Sequence, residues 1–125
     1  MKLILLSLLL LAAPAWAGWE PEAIDQERLA TAIYHAEGGK RAKVPYGILS
    51  VKVRGEAEAR QVCLNTINNN LARWQYARAN GDRRNYLQFL ADRYCPVGAD
   101  NDPSGLNHHW RSNVARLYER GLKNG

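Results

Sequence analysis

Four segments with apolar residues at helical spacing, separated by breaks rich in glycine and proline, constrain the fold of this chain most strongly. The first has a capping residue, Asp25, at its start. It ends at Gly38-Gly39, which permits the left-handed turn that closes many helices. The other three cover about residues 56–79, 84–93 and 103–121. The pattern therefore predicts a mostly helical domain.

The link between the first two segments has a different pattern. Residues 44–53 combine β-branched side chains with an internal proline and glycine, Pro45 and Gly47, which is typical of a short extended piece and argues against a central strand. We therefore expect a mostly-α fold of the α+β kind, with about four to five helices and one short irregular extended segment or small hairpin after the first helix.

The N-terminus has the composition of a secretion signal. Lys2 precedes an almost unbroken apolar run from Leu3 to Ala13, and Ala15-Trp16-Ala17 supplies a small-x-small cleavage pattern. The run is shorter than the roughly 20 residues that a membrane span needs, so we expect no stable membrane insertion. Residues 1–17 are predicted to be a signal peptide. Residues 18–125 are predicted to be a single domain, exported to the periplasm or the extracellular space.

The charge of the chain bears on its partners. A formal net charge of +5 suits anionic surroundings such as cell-wall polymers or phospholipid headgroups, although charge of this size is also typical of ordinary solubility. The basic residues are scattered along the sequence rather than clustered in one patch. That distribution, together with export, argues against nucleic acid as a partner.

Two cysteines, Cys63 and Cys95, remain after the predicted cleavage. An even count in an oxidising compartment predicts one disulfide between them. The alternative is a thiol nucleophile, for which His35, His108 and His109 are the only imidazole bases in the sequence. The last two are adjacent, and neighbouring helical positions point about 100° apart, which makes a poor pair of metal ligands. We predict neither a metal nor another cofactor.

Glu37 is the residue whose position suggests chemistry. It ends the first segment on the same face as Leu29 and Ile33, where burial disfavours the charged carboxylate. The negative end of the helix dipole acts in the same direction. Both effects raise a carboxyl pKa, as a proton donor near neutral pH requires. The alternative is a polar last-turn residue before a glycine cap.

Three motifs follow one another in the chain: Ala36-Glu37-Gly38-Gly39, Tyr46-Gly47-Ile48-Leu49-Ser50 and Leu90-Ala91-Asp92-Arg93-Tyr94. In order and rough spacing they resemble the lysozyme-like superfamily, and within it the soluble lytic transglycosylases and goose-type lysozymes. The resemblance implies a lysozyme-like fold in which Glu37 is the catalytic acid and Tyr94 lies near it. Residues 47–50 stand in place of the Gly-Leu-Met-Gln turn that lines the sugar cleft. Gly38, Ser50 and Cys95 depart from the Ser, Gln and Asn that the family has at those places.

The resemblance further implies an enzyme that cleaves peptidoglycan between N-acetylmuramic acid and N-acetylglucosamine. Glycosidases normally use two carboxylates, and the candidates Asp92, Asp100 and Asp102 each have a weak claim. Lytic transglycosylases use one Glu, first as acid and then as base, while the sugar's own 6-hydroxyl closes an anhydro ring. A lytic transglycosylase is therefore the predicted activity. The alternatives are a hydrolytic lysozyme (muramidase) and a non-catalytic secreted module that binds the cell wall or acts as an inhibitor.

The predicted substrate-binding residues are Tyr46, Gly47, Ile48, Ser50, Tyr94 and Asn107. For the two tyrosines the alternative is packing into the loop or the core, and Trp74 and Trp110 lie at helical core spacing and are predicted to be core. We expect a monomer that acts on peptidoglycan glycan strands. Enzymes of the resembled kind often open the wall locally for a secretion or phage apparatus.

Overall fold

The computed structural model describes residues 19–49, 51–95 and 108–124. Four helices make up most of this part of the chain: α1 (Gln26–Ala36), α2 (Glu56–Ala79), α3 (Tyr86–Tyr94) and α4 (His108–Asn124). Three short 3-10 helices, Pro21–Ala23, Gly39–Arg41 and Pro45–Gly47, precede α1 or lie between α1 and α2. The predicted mostly-α fold is confirmed. No strand forms within the described residues, so the predicted extended segment or hairpin is absent there.

The link between α1 and α2 contains two tight turns, Gly39–Arg41 and Pro45–Gly47, where an extended segment was expected. Pro45 begins the second turn, and the next two residues, Tyr46 and Gly47, have φ values of 59° and 66°. Two successive residues with positive φ reverse the chain and cannot continue an extended strand. The β-branched residues on either side suggested a strand, but these two angles decide the local structure.

Helix α1 forms as its sequence predicts. The Asp25 side chain accepts a hydrogen bond from the N–H of Arg28 at 3.0 Å, which caps the helix start. Leu29, Ala30 and Ile33 are fully buried along one face. The helix packs against α4 and α2, so its apolar face forms the centre of the domain.

Helix α2 is held in place by one buried stripe. Ala59, Cys63, Ile67 and Trp74 follow one another at intervals of four, four and seven residues, which puts them on one face of the helix. All four are fully buried in the core. The indole N–H of Trp74 donates to the carbonyl of Arg84 at 2.9 Å. That bond fixes the chain after α2 so that α3 returns against the same helix.

Helices α3 and α4 complete the packing. Asn85 and Gln88 form a reciprocal capping box at the start of α3, and α3 packs against α2 and α4. Gly121, predicted to end the last helix, lies inside α4 instead. A Cβ at Gly121 would be 3.3 Å from Cδ of Arg28, so this glycine permits close approach of α4 to α1. The predicted start of the last helix, near Pro103, lies outside the described residues.

The described helices show no membrane-spanning character. None of them is both long enough and apolar enough to cross a bilayer.

Candidate active site

Glu37 is the residue that follows the last helical position of α1. Its N–H donates to the carbonyl of Ile33 at 3.0 Å, and Gly38 then turns the chain with a φ of 107°. A side chain at Gly38 would be strained at that φ, so the glycine fixes where the helix ends. The half-buried carboxyl group of Glu37 is left facing the turn Pro45–Gly47.

The Glu37 side chain lies in the wall of a cleft of about 550 Å³. The other described residues of the wall are 42–44 and 47–49 of the link, Val62 and Thr66 of α2, and 93–95 at the end of α3. A cleft of this size is within the range that holds small organic ligands. Among the lining residues that the structure describes, Glu37 is the only carboxylate.

Only a glycine fits at position 47, because the Glu37 carboxyl group occupies the space that a side chain would need. A Cβ built on Gly47 would lie 2.6 Å from Cδ of Glu37 and 2.7 and 2.8 Å from its two oxygens. Real Cβ atoms do not approach that closely, and the φ of Gly47 is also positive. The backbone of the turn therefore covers the carboxyl group directly and removes part of its water.

The conformation of Tyr46 in the same turn is strained. A φ of 59° in a bulky residue costs on the order of 1–3 kcal/mol and persists only where surrounding contacts impose it. Two contacts do so here. The Tyr94 hydroxyl donates to the carbonyl of Tyr46, and the Arg60 guanidinium donates to the Tyr46 hydroxyl at 3.1 Å. Helices α2 and α3 thereby hold the turn against Glu37.

Trp110 contributes the hydrogen-bond donor to Glu37. Its indole Nε1 lies 2.9 Å from Glu37 Oε1. The indole also stacks on the Tyr94 ring, with 5.3 Å between centroids and 23° between planes. Trp110 is buried, as its spacing predicted, but its role at the carboxyl group was not predicted. The one sequence signal for it is general: a buried indole N–H needs an acceptor.

The environment of Glu37 favours its protonated form. Burial raises the pKa of the Glu37 carboxyl, and the hydrogen bond from Trp110 opposes part of that rise because it stabilises the charged carboxylate. Burial is the larger effect. A carboxylic acid that keeps its proton closer to neutral pH can act as a general acid, and the ionised form that follows retains a donor.

Tyr94 lies in the cleft wall, but its hydroxyl does not bond to Glu37. It donates to the carbonyl of Tyr46 and lies beside the Cys63 thiol. Burial raises the pKa of Tyr94, and the neighbouring Cys63 and Glu37 act in the same direction. The hydroxyl therefore stays protonated as a donor. The Tyr94 ring stacks on Trp110, and it is Trp110 that bonds to Glu37.

The remaining predicted binding residues have separate outcomes. Gly47 and Ile48 line the cleft with Tyr94. The Tyr46 ring is 4% exposed and packs against Tyr34 at 5.2 Å, so it lies behind the turn rather than in the cleft and is not a sugar platform. Predictions for Ser50, Asn107, Asp100 and Asp102 fall outside the described residues.

The predicted Cys63–Cys95 disulfide is not formed in this structure. Cys63 carries a free, fully buried thiol in the core beside Tyr94. Cys95, at the end of α3, is half-buried in the cleft wall and packs against the core cluster that contains Cys63. Burial raises the pKa of the Cys63 thiol to about 12, which makes this cysteine a poor nucleophile.

Among the described residues, no group of three or more His, Cys, Asp or Glu side chains could hold a metal ion. Comparison of the chain with protein-family models, with curated proteins and with solved structures finds no match.

Proposed function

We propose that this protein is an exported lytic transglycosylase that cleaves the N-acetylmuramic acid–N-acetylglucosamine bond of peptidoglycan, with Glu37 as its single acid and base. The observation that carries the proposal is the half-buried carboxyl group in a cleft, with a raised pKa and a fixed donor on one oxygen. The resemblance of the three sequence motifs supplies the substrate class.

The proposed reaction uses the two protonation states of Glu37 in turn. The protonated carboxyl gives its proton to the glycosidic oxygen as the bond from that oxygen to the sugar C1 breaks. The 6-hydroxyl of the same sugar then attacks C1, and the Glu37 carboxylate accepts the hydroxyl proton. The products are a released strand and a 1,6-anhydro sugar. No water is consumed, and Glu37 ends protonated as it began.

Trp110 supports both steps. Its N–H bonds to Oε1 of Glu37 at 2.9 Å, and hydrogen bonds to an ionised acceptor are stronger than those to a neutral one. The carboxylate formed after the first proton transfer is thus stabilised where it is made. The ring is itself buried and stacked on Tyr94, which holds the donor in place.

The described part of the site fits a mechanism with one carboxylate better than the two-carboxylate mechanism of a hydrolase. Retaining and inverting glycosidases need a second carboxyl group about 5 to 9.5 Å from the first. Asp92 is the predicted candidate within the described residues. It does not line the cleft with Glu37 and is held in ion pairs by Arg84, at 2.9 Å, and Arg111. An aspartate so paired is a poor nucleophile or base.

The cleft also suits an anionic glycan. Lys43 and Arg93 supply positive charge in its wall, and Ile48 and Leu49 supply apolar surface. Sugar rings present C–H faces to apolar side chains, and the lactyl and peptide carboxylates of peptidoglycan complement basic ones. Export to the cell wall, proposed from the N-terminal segment, brings the protein to this substrate.

The test is digestion of purified peptidoglycan by the wild type, by Glu37→Gln and by the control Glu119→Gln, whose residue is exposed on α4. Mass spectrometry should find anhydro-ended fragments, each lighter by one water than a hydrolytic product, with wild type and control but not with Glu37→Gln. Reducing-end fragments would assign the protein as a hydrolase instead. No fragments from correctly folded wild type would support a binding module.

A further inference from the structure

A second recess adjoins the cleft of Glu37. It has a volume of about 390 Å³ and is lined by Thr66, Asn70, Arg73, Asp92, Arg93 and Tyr94. Three of these residues, Thr66, Arg93 and Tyr94, also line the first cleft. The two spaces therefore share a wall formed by α2 and the end of α3. A ligand that fills both must have a branch that leaves the first cleft at this wall.

The recess is positively charged. Among the described residues that line it, Asp92 is the one carboxylate, and its charge is already neutralised by pairing with Arg84 and Arg111. Arg73 and Arg93 are exposed, and within the described residues neither forms an ion pair. Two basic side chains with no such partner attract a carboxylate or another anion.

Asn70 adds a second requirement. It lies in the wall of the recess and is 4% exposed. Its amide nitrogen donates to the carbonyl of Thr66 at 2.8 Å. Its Oδ1 has no hydrogen-bond partner among the described residues. Leaving a buried acceptor without a partner is unfavourable. An N–H donor on a ligand in the recess would supply the missing bond.

We propose that the recess binds the peptide that branches from the glycan strand, with a peptide carboxylate at Arg73 and Arg93 and a peptide N–H directed at Asn70. This inference rests on the proposed function, because the sugar strand must lie in the cleft of Glu37. The combination of anion and N–H donor favours a peptide over a phosphodiester polymer, which offers the anion without the donor. The enzyme then prefers peptide-bearing strands to bare ones.

The cleavage experiment compares two substrates: intact peptidoglycan strands, and the same strands after an amidase has removed the peptides. The variants are Arg73→Gln, the charge-retaining Arg73→Lys, and the control Arg116→Gln, whose arginine is exposed on α4 and lines neither space. Arg73→Gln should raise KM about two- to fivefold on intact strands, the range of an exposed ion pair. It should leave kcat, and both constants on stripped strands, unchanged. Arg73→Lys should restore most of the loss, and high salt should remove the difference.

Equal cleavage of both substrates by the wild type, or an equal effect of Arg73→Gln on both, would overturn the proposal. Failure of the proposed function gives a different pattern, in which neither substrate is cleaved. In that case calorimetric binding decides, with Glu37→Gln protein and two probes: the N-acetylglucosaminyl-N-acetylmuramoyl peptide and its peptide-free disaccharide. The proposal is supported if the peptide-bearing probe binds more tightly than the disaccharide and if this difference is lost in the double variant Glu37→Gln/Arg73→Gln. Equal binding of the two probes refutes it.

Discussion

Replacing Trp110 by Phe tests how the acid is controlled. The change removes the N–H that lies 2.9 Å from Glu37 Oε1 while keeping an aromatic ring to stack on Tyr94. In the wild type this hydrogen bond stabilises the charged carboxylate and so lowers the pKa of Glu37. Without the bond, the pKa of Glu37 rises further. Burial already acts in that direction. The variant should therefore hold its proton to a higher pH than the wild type.

The size of the effect follows from the bond that is lost. A hydrogen bond to a charged group contributes about 1.5–3 kcal/mol, and each 1.36 kcal/mol is a tenfold change. At a pH where most of the carboxyl is ionised, the protonated fraction of Glu37 should rise about tenfold or more. Because the variant is a weaker acid and its carboxylate lacks a donor, the maximum of kcat/KM should fall by about tenfold or more.

Two assays measure this. The alkaline limb of the pH profile of kcat/KM on soluble glycan strands reports the group that must be protonated, and it should move to higher pH. Carbon-13 NMR titration of the Glu37 carboxyl follows the same pKa without relying on activity. Trp74→Phe is the matched control, because it removes an indole bond of the same length, to the carbonyl of Arg84, away from the acid. A shift to lower pH, or equal profiles for both variants, would refute the reasoning.

Three other outcomes are expected. Gly47→Ala should lose most activity and about 1–3 kcal/mol of stability in urea unfolding, because its Cβ would meet the Glu37 carboxyl at 2.6 Å. Gly55→Ala, with nothing within 4 Å, should retain activity. Native Cys63 should resist alkylation at pH 8 and react once urea unfolds the chain, since it is fully buried with a pKa near 12; rapid native labelling at Cys63, located by peptide mapping, would contradict its placement. Glu37→Gln should be more stable than wild type at pH 7, and the difference should vanish below the unfolded pKa of about 4.3. The sign follows because a raised carboxyl pKa favours folding only while the group is protonated, and a Glu37→Gln variant less stable than wild type at pH 7 would oppose it.

The helices could be predicted because their determinants are local. The cap at Asp25 and the glycine at position 38 bound α1, and the stripe from Ala59 to Trp74 identifies α2. The position of Glu37 at a helix end, with a raised pKa, followed from the same local pattern. These features depend on residues a few positions apart, where spacing alone carries the information.

The rest depends on contacts between distant residues. Trp110 lies 73 positions from Glu37, and a tryptophan at core spacing is equally compatible with having no role at the acid. Tyr46 has a positive φ and is held by bonds from α2 and α3. Neither bond can be read from the local sequence, so the composition of residues 44–53 suggested an extended segment. Asn70 stands in a run of asparagines, which are poor helix formers, and nothing in that run distinguishes it from its neighbours. Its unpartnered oxygen can be seen only once the neighbouring helices are in place.

These distant contacts explain how a small helical domain can raise the pKa of one carboxyl group. Arg60 on α2 bonds to the Tyr46 hydroxyl, Tyr94 on α3 bonds to the Tyr46 carbonyl, and Trp110 on α4 bonds to Glu37 at the end of α1. Contacts from all four helices thus hold a strained turn and an indole ring against one carboxyl group. Burial disfavours the ionised form of that group, and the hydrogen bond from Trp110 offsets part of this effect. Loosening any of these contacts should admit water to Glu37 and lower its pKa towards the ordinary value. The exception is the loss of the Trp110 N–H alone, which raises it. The pKa of Glu37 should therefore rise when only the Trp110 N–H is lost and fall when the packing of Trp110 is lost, so the direction of the change tells the two roles apart.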